Sequence, residues 1–147
     1  AISVIAERAR ARLLADTLAL QVDEATELRE LGGQVMIDIT AASPSRLAAI
    51  AGVVQEEVAR FASTGPSAAE LEEARAVYRS RIDQELATLA GKALLLGVGE
   101  LLYGDPASID VMLRRAAGAT AEDVRRAARE WLADGAFVLE FVPEATA

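Results

Sequence analysis

More than half of this chain is apolar, 52 %, yet only 4 % of it is aromatic. Its core must therefore be assembled mainly from Ala, Leu, Val and Ile. Ala loses no side-chain entropy on entering a helix and Leu loses little, so this composition predicts a mostly helical fold. The 147 residues suit a single domain spanning 1–147, large enough to bury a core without disulfide or metal staples.

Charge and missing residue types narrow the function classes. There are 23 acidic and 15 basic side chains, a formal net charge of -8. Binding nucleic acid needs clustered positive charge to displace counterions, so nucleic acid is not an expected partner. An anionic membrane surface is disfavoured for the same reason. Uncharged apolar runs such as Ala93 to Gly99 fall far short of the ~20 residues that span a bilayer. Glu7, Arg8, Arg10, Arg12 and Asp16 make the first twenty residues unlike a signal peptide. The absence of an initiating Met suggests processing or excision from a longer protein, and bacterial cytoplasm and periplasm stay open as compartments. Cys and His are both absent. That excludes disulfides, thiol nucleophiles, Cys/His metal sites, His general acid–base work and Ser-His-Asp triads within the chain.

Start and stop signals divide the sequence. Ser3 to Leu20 reads as a first helix with Ile5, Ala9, Leu13 and Leu20 on one stripe, followed by a polar exit from Val22 to Leu31 and a break at Gly32-Gly33. Gln34 to Thr40 alternates Val35, Ile37 and Ile39 against Met36, Asp38 and Thr40, the period of a half-buried strand. Ser43-Pro44 opens a second helix, with Ser43 as N-cap. Its stripe is Leu47, Ile50, Ala51, Val54, Val58 and Phe61, and Gly65-Pro66 ends it.

Ser67-x-x-Glu70 is a capping box for a long third helix carrying Leu71, Ala74, Tyr78, Ile82, Leu86 and Leu89, which Gly91 kinks or ends before Leu94 to Leu102. Gly104-Asp105-Pro106 restarts the chain into a short helix with Ile109, Met112, Leu113 and Ala116, closed by Gly118. Thr120-x-x-Asp123 is a second capping box, whose helix is expected to bury Val124, Ala127, Trp131 and Leu132. After Gly135, Ala136 to Val142 sets Phe137, Leu139 and Phe141 opposite Val138, Glu140 and Val142, a second strand ended by Pro143. Two strands alone are marginal in water. The fold class expected is therefore α+β, a mainly antiparallel sheet covered on one face by several helices, with a partner or a missing N-terminal portion supplying further strands.

None of the candidate chemistry outweighs a plain structural explanation. The pairs Glu56/Arg60, Asp110/Arg114 and Glu122/Arg126 read as exposed i,i+4 helix pairs worth ~0.2–0.5 kcal/mol each. Lys92, the only lysine, reads as a surface residue whose stem covers apolar neighbours. Gly97-Val98-Gly99 lacks the third glycine of a dinucleotide fingerprint, and Gly91-Lys92-Ala93 lacks the hydroxyl of a phosphate loop. These glycines read as places where helices pack closely or bend. Arg114, Arg115, Arg125, Arg126 and Arg129 read as a charge-balanced surface beside Asp110, Glu122, Asp123 and Glu130, rather than as an anion clamp.

Two stretches taken together carry a resemblance. Gly65-Pro66-Ser67-Ala68-Ala69-Glu70-Leu71-Glu72-Glu73-Ala74-Arg75 is similar to a G-x-[ST]-x-x-E-L-x-x-A-[KR] segment ahead of a long helix. Thr120-Ala121-Glu122-Asp123-Val124-Arg125-Arg126-Ala127 is similar to a T-x-x-D-V-x-x-A helix leading into a last strand. In this order, over about 33–143, the chain resembles the C-terminal half-domain of the pitrilysin/insulinase family of zinc metallopeptidases.

The resemblance implies one part of a clamshell whose other half carries the H-x-x-E-H zinc helix. It implies no zinc in this chain, no catalytic residue, and a homologous zinc-binding half-domain as partner in cis or in trans. Peptide is the implied substrate. Leu28-Arg29-Glu30-Leu31-Gly32-Gly33 resembles the start of an R-E-x-x-G-x-x-Y segment that supplies Arg and Tyr to substrate. Arg29 is thus the one candidate contact residue, and the Tyr has no counterpart. The function expected is a non-catalytic wall and peptide-contact surface in an N-terminally truncated piece, the parent being a zinc endopeptidase or an inactive paralogue. The competing reading is a stand-alone interaction or oligomerisation module, including a homodimer of this chain.

Overall fold

In the computed structural model, which describes residues 1–29, 32–133 and 135–142, a helix and a hairpin open the chain and five further helices follow. Helix α1, Ile2–Ala15, buries Val4, Ile5, Ala6, Ala9 and Leu13 along one side. The polar stretch after it is not a helix exit. It is strand β1, Ala19–Arg29, paired antiparallel with β2, Gly32–Ala41, in the register Val22 opposite Ile39, Asp23 opposite Asp38 and Arg29 opposite Gly32. Leu20 therefore leaves the helical stripe and stands 69 % exposed on the strand. Gly32-Gly33 begins the returning strand instead of stopping a helix.

The hairpin packs one face on α1 and on α2, Leu47–Thr64, which a single 3-10 turn at Pro44–Arg46 introduces. Ser43 makes no side-chain cap there, although proline does occupy the first turn. Leu13, Leu18, Val22, Ile50 and Val53 form one apolar cluster, with Ile37 and Ile39 packed against it. Phe61, Val4, Ile5 and Ala128 form the second, where α1, α2 and α6 meet. Gly65 closes α2 at φ 72°, a left-handed conformation that costs glycine little.

Both capping boxes are made. Glu70 N–H donates to Ser67 Oγ at 3.2 Å and the Glu70 carboxylate accepts from Ser67 N–H at 2.7 Å, starting α3, Ala68–Leu86. Thr120 and Asp123 do the same for α6, Ala121–Trp131. Each such cap contributes about 1 kcal/mol. Helix α3 ends before Gly91, and Thr88 caps a separate helix α4, Leu89–Tyr103, inclined at 112° to it. Gly91 is what permits the turn, because a Cβ there would lie 2.1 Å from the Glu85 carbonyl oxygen. Gly99 allows the close return of Asp105 and Ser108, whereas Gly97 meets nothing. Helix α5, Ser108–Gly118, then packs on α3 and α4.

Two expected features differ. Trp131 is 75 % exposed and Ala128 takes the buried place in α6, with Val124 and Leu132 half-buried beside it. Residues Ala136–Val142 have no ladder partner among the described residues, so the sheet consists of β1 and β2. Alternation prepared that segment to be a strand, but a strand exists only once a neighbour supplies its hydrogen bonds.

Candidate peptide-contact surface

One face of the hairpin is not covered by the helices and is exposed. Val22, Ile37 and Ile39 turn toward α1 and α2, so the pleat sends Gln21, Asp23, Glu27, Gln34, Asp38 and Thr40 outward, all exposed. Asp23 and Asp38 stand directly opposite one another, an arrangement that weakens a sheet. The Gln21 amide donates to Asp23 at 2.6 Å. Among the described residues the sheet has two strands and neither outer edge has a strand beside it, and an open strand edge is the chemistry that an extended peptide uses to add a strand.

Arg29 ends β1 beside Gly32 at the far tip of this hairpin. Its side chain, together with Glu30 and Leu31, lies outside the described residues.

Behind the sheet a polar network fixes the helices. Arg8 donates from Nε and Nη2 to the two oxygens of Glu70 at 2.7 and 2.8 Å, and its guanidinium lies 5.3 Å from the Phe61 ring centre. Arg12 reaches Glu57 at 2.7 Å and Glu56 at 2.8 Å. Arg10 donates to the Val22 carbonyl at 3.0 Å, tying α1 to β1. Glu57 is 1 % exposed, and its Oε2 is buried with no hydrogen-bond partner among the described residues. The spacing of Glu57 from Ile50, Val53 and Phe61 puts it on the apolar stripe of α2. That stripe was the available signal.

Two of the expected i,i+4 pairs, Glu56/Arg60 and Glu122/Arg126, give way to i,i+3 pairs, Arg60 with Glu57, Arg125 with Glu122 and Arg126 with Asp123. The arginines of α6 are thereby balanced locally, and Lys92 is exposed.

Arg8 holds the Glu70 carboxyl at about 2, well below its usual 4.5, with the Ser67 N–H assisting. A carboxyl depressed by folding stabilises the protein above its unfolded pKa and ceases to do so as pH falls through the folded value. Glu70 is partly exposed at 29 %, so solvent screening leaves about 1–2 kcal/mol, lost between about pH 4.5 and pH 2. Melting temperatures taken across that window should fall less steeply for Glu70→Gln than for the parent. Equal slopes would show that this pair does not set the acid response.

Between α3 and α5 runs an open groove of about 370 Å³ lined by Glu72, Arg75, Tyr78, Arg79, Leu113 and Ala116. Arg75 closes one side by donating to the Ala119 carbonyl at 2.6 Å. No group of three or more His, Cys, Asp or Glu side chains among the described residues could hold a metal. A zinc ion therefore has no fitting donor set in them.

Comparison with solved structures gives two likenesses. A candidate zinc protease from Bordetella pertussis Tohama I superposes with a TM-score of 0.76 at 21 % identity, over 90 % of this chain and 77 % of that one. The periplasmic protease PqqL from Escherichia coli gives 0.71 at 17 % identity, over 88 % of this chain. The chain shares their fold. It spans 15 % of the length of PqqL. The half-domain resemblance read from Gly65–Arg75 and Thr120–Ala127 is thus met at the level of the fold. No protein-family profile matches the sequence, and no curated protein does.

Proposed function

We propose that this chain is a non-catalytic half-domain of a zinc-dependent peptidase. In this reading it forms the wall of a peptide chamber and offers the outer face and edges of the β1–β2 hairpin to substrate, while zinc chemistry belongs to a homologous partner half. The observation that carries the reading is the likeness to PqqL, which covers 88 % of this chain but 15 % of that protease. A sheet of two strands among the described residues supports it. Arg29, at the hairpin tip, is the residue assigned to contact peptide.

Co-expression with a half-domain bearing the H-x-x-E-H motif tests the proposal. The two should co-purify, hydrolyse a peptide library faster than the motif-bearing half alone, and lose part of that gain when Arg29 is replaced by Ala. No complex and no gain in hydrolysis would overturn the reading.

A further inference from the structure

A smaller hollow of about 140 Å³ adjoins the open groove between α3 and α5, because Arg75, Tyr78 and Ala116 line both. Its further walls include Val4, Leu71 and Val124, all apolar. An apolar volume of this size admits a group as large as benzene. No residue of β1 or β2 lines either space, so the site is separate from the hairpin and the inference does not rest on the protease reading.

The polar groups where the two spaces join are donors. Tyr78 is half-buried, and its hydroxyl has no hydrogen-bond partner among the described residues. Burial, with Tyr103 nearby, holds this phenol above its usual pKa of 10.0, so it keeps its proton across the neutral range. Arg75 donates to Glu72 and to the Ala119 carbonyl, and Glu72 is 70 % exposed, where it can yield to another carboxylate. Arg79 lines the groove as well. Two guanidiniums against one carboxylate leave this place locally positive on a chain of net charge -8. Unmet donors beside an apolar hollow favour a ligand that couples an apolar group to acceptors.

We propose that hollow and groove together bind the C-terminal residue of a peptide, with an apolar side chain of phenylalanine or leucine size in the hollow. The terminal carboxylate then accepts from the Tyr78 hydroxyl and faces the Arg75 and Arg79 guanidiniums. The 370 Å³ of open groove gives room to the residues that precede it, which favours a peptide over a small free acid of the same chemistry.

Titration of the full chain with N-acetyl-alanyl-alanyl-phenylalanine, followed by amide NMR shifts, tests the proposal. Binding should saturate, with the shifts centred on α3 and α5. The C-terminal amide of the same peptide should bind at least about tenfold more weakly, the worth of a charge-assisted hydrogen bond. Tyr78→Phe removes only the hydroxyl and should weaken the acid but not the amide. Ala116→Leu adds bulk where the two spaces join and should abolish binding, with circular dichroism confirming that the variant is folded. The amide comparison stands on the parent protein alone if that variant does not fold. Absence of saturation in the millimolar range, shifts centred elsewhere, equal binding of acid and amide, or hydrocinnamate binding as tightly as the peptide would each overturn the proposal.

Discussion

Replacing Phe61 by Ala should destabilise this protein by about 3–5 kcal/mol, the range for removing a buried aromatic ring. Phe61 is fully buried where Val4 and Ile5 of α1 and Ala128 of α6 converge, with Ile37, Val58, Ala74, Val124 and Leu132 around the rim. Few neighbours there can refill the space. Ala128 is a methyl group, and Val4 and Ile5 are branched side chains fixed on a helix. A cavity therefore persists, and its cost adds to the lost transfer energy. The Arg8 guanidinium also loses the ring face it lies against, a smaller contribution of ~0.5–1 kcal/mol at a partly exposed site.

At this chain length the loss corresponds to a melting temperature about 10–15 °C lower. Far-ultraviolet circular dichroism is the right probe, because the only tryptophan, Trp131, is 75 % exposed and changes environment little on unfolding. For the same reason Trp131→Ala should stay within about 0.5 kcal/mol of the parent. A Phe61→Ala protein that melts with the parent would mean that α1, α2 and α6 do not meet at this residue.

The contrast between these two aromatics marks where sequence reading succeeds and where it stops. Capping boxes at Ser67 and Thr120 were legible because every partner lies within three residues. Strand β2 was legible because Val35, Ile37 and Ile39 alternate with polar neighbours. Strand β1 was not, since Glu24 and Thr26 dilute its apolar face, and pairing with β2 decides its conformation against a weak local preference.

Ala136–Val142 shows the converse. Its alternation is clear, but a ladder needs a neighbour that periodicity does not contain. For the contact surface, the sequence marked Arg29 through a motif, while the acidic outward face and the two open edges became visible only with the β1–β2 register. Glu57 was hidden for a different reason. Its partner Arg12 lies 45 residues away on another helix, where no local spacing reaches it.

That buried carboxylate supports the second large effect. Arg12→Met keeps the aliphatic stem and removes the charge, and it should destabilise the fold about as severely as the loss of Phe61. Glu57 would remain 1 % exposed with its main partner gone and one oxygen already unpartnered. Removing one member of a buried ion pair is far more damaging than never having had the pair, because the survivor keeps its full desolvation penalty. Arg60, at 3.6 Å and largely exposed, supplies only weak replacement.

The opposite truncation is predicted to be mild. After Glu57→Leu, Arg12 still pairs with Glu56 at 2.8 Å and keeps access to water, while the new side chain joins the stripe of Ile50, Val53 and Phe61. The double variant Arg12→Met, Glu57→Leu should therefore recover most or all of the stability that Arg12→Met loses, a strong non-additivity that only a direct pair produces. Urea midpoints of the four proteins measure this coupling. If Arg12→Met unfolds at the parent's midpoint, or if the double variant is no better than Arg12→Met alone, Glu57 does not depend on Arg12.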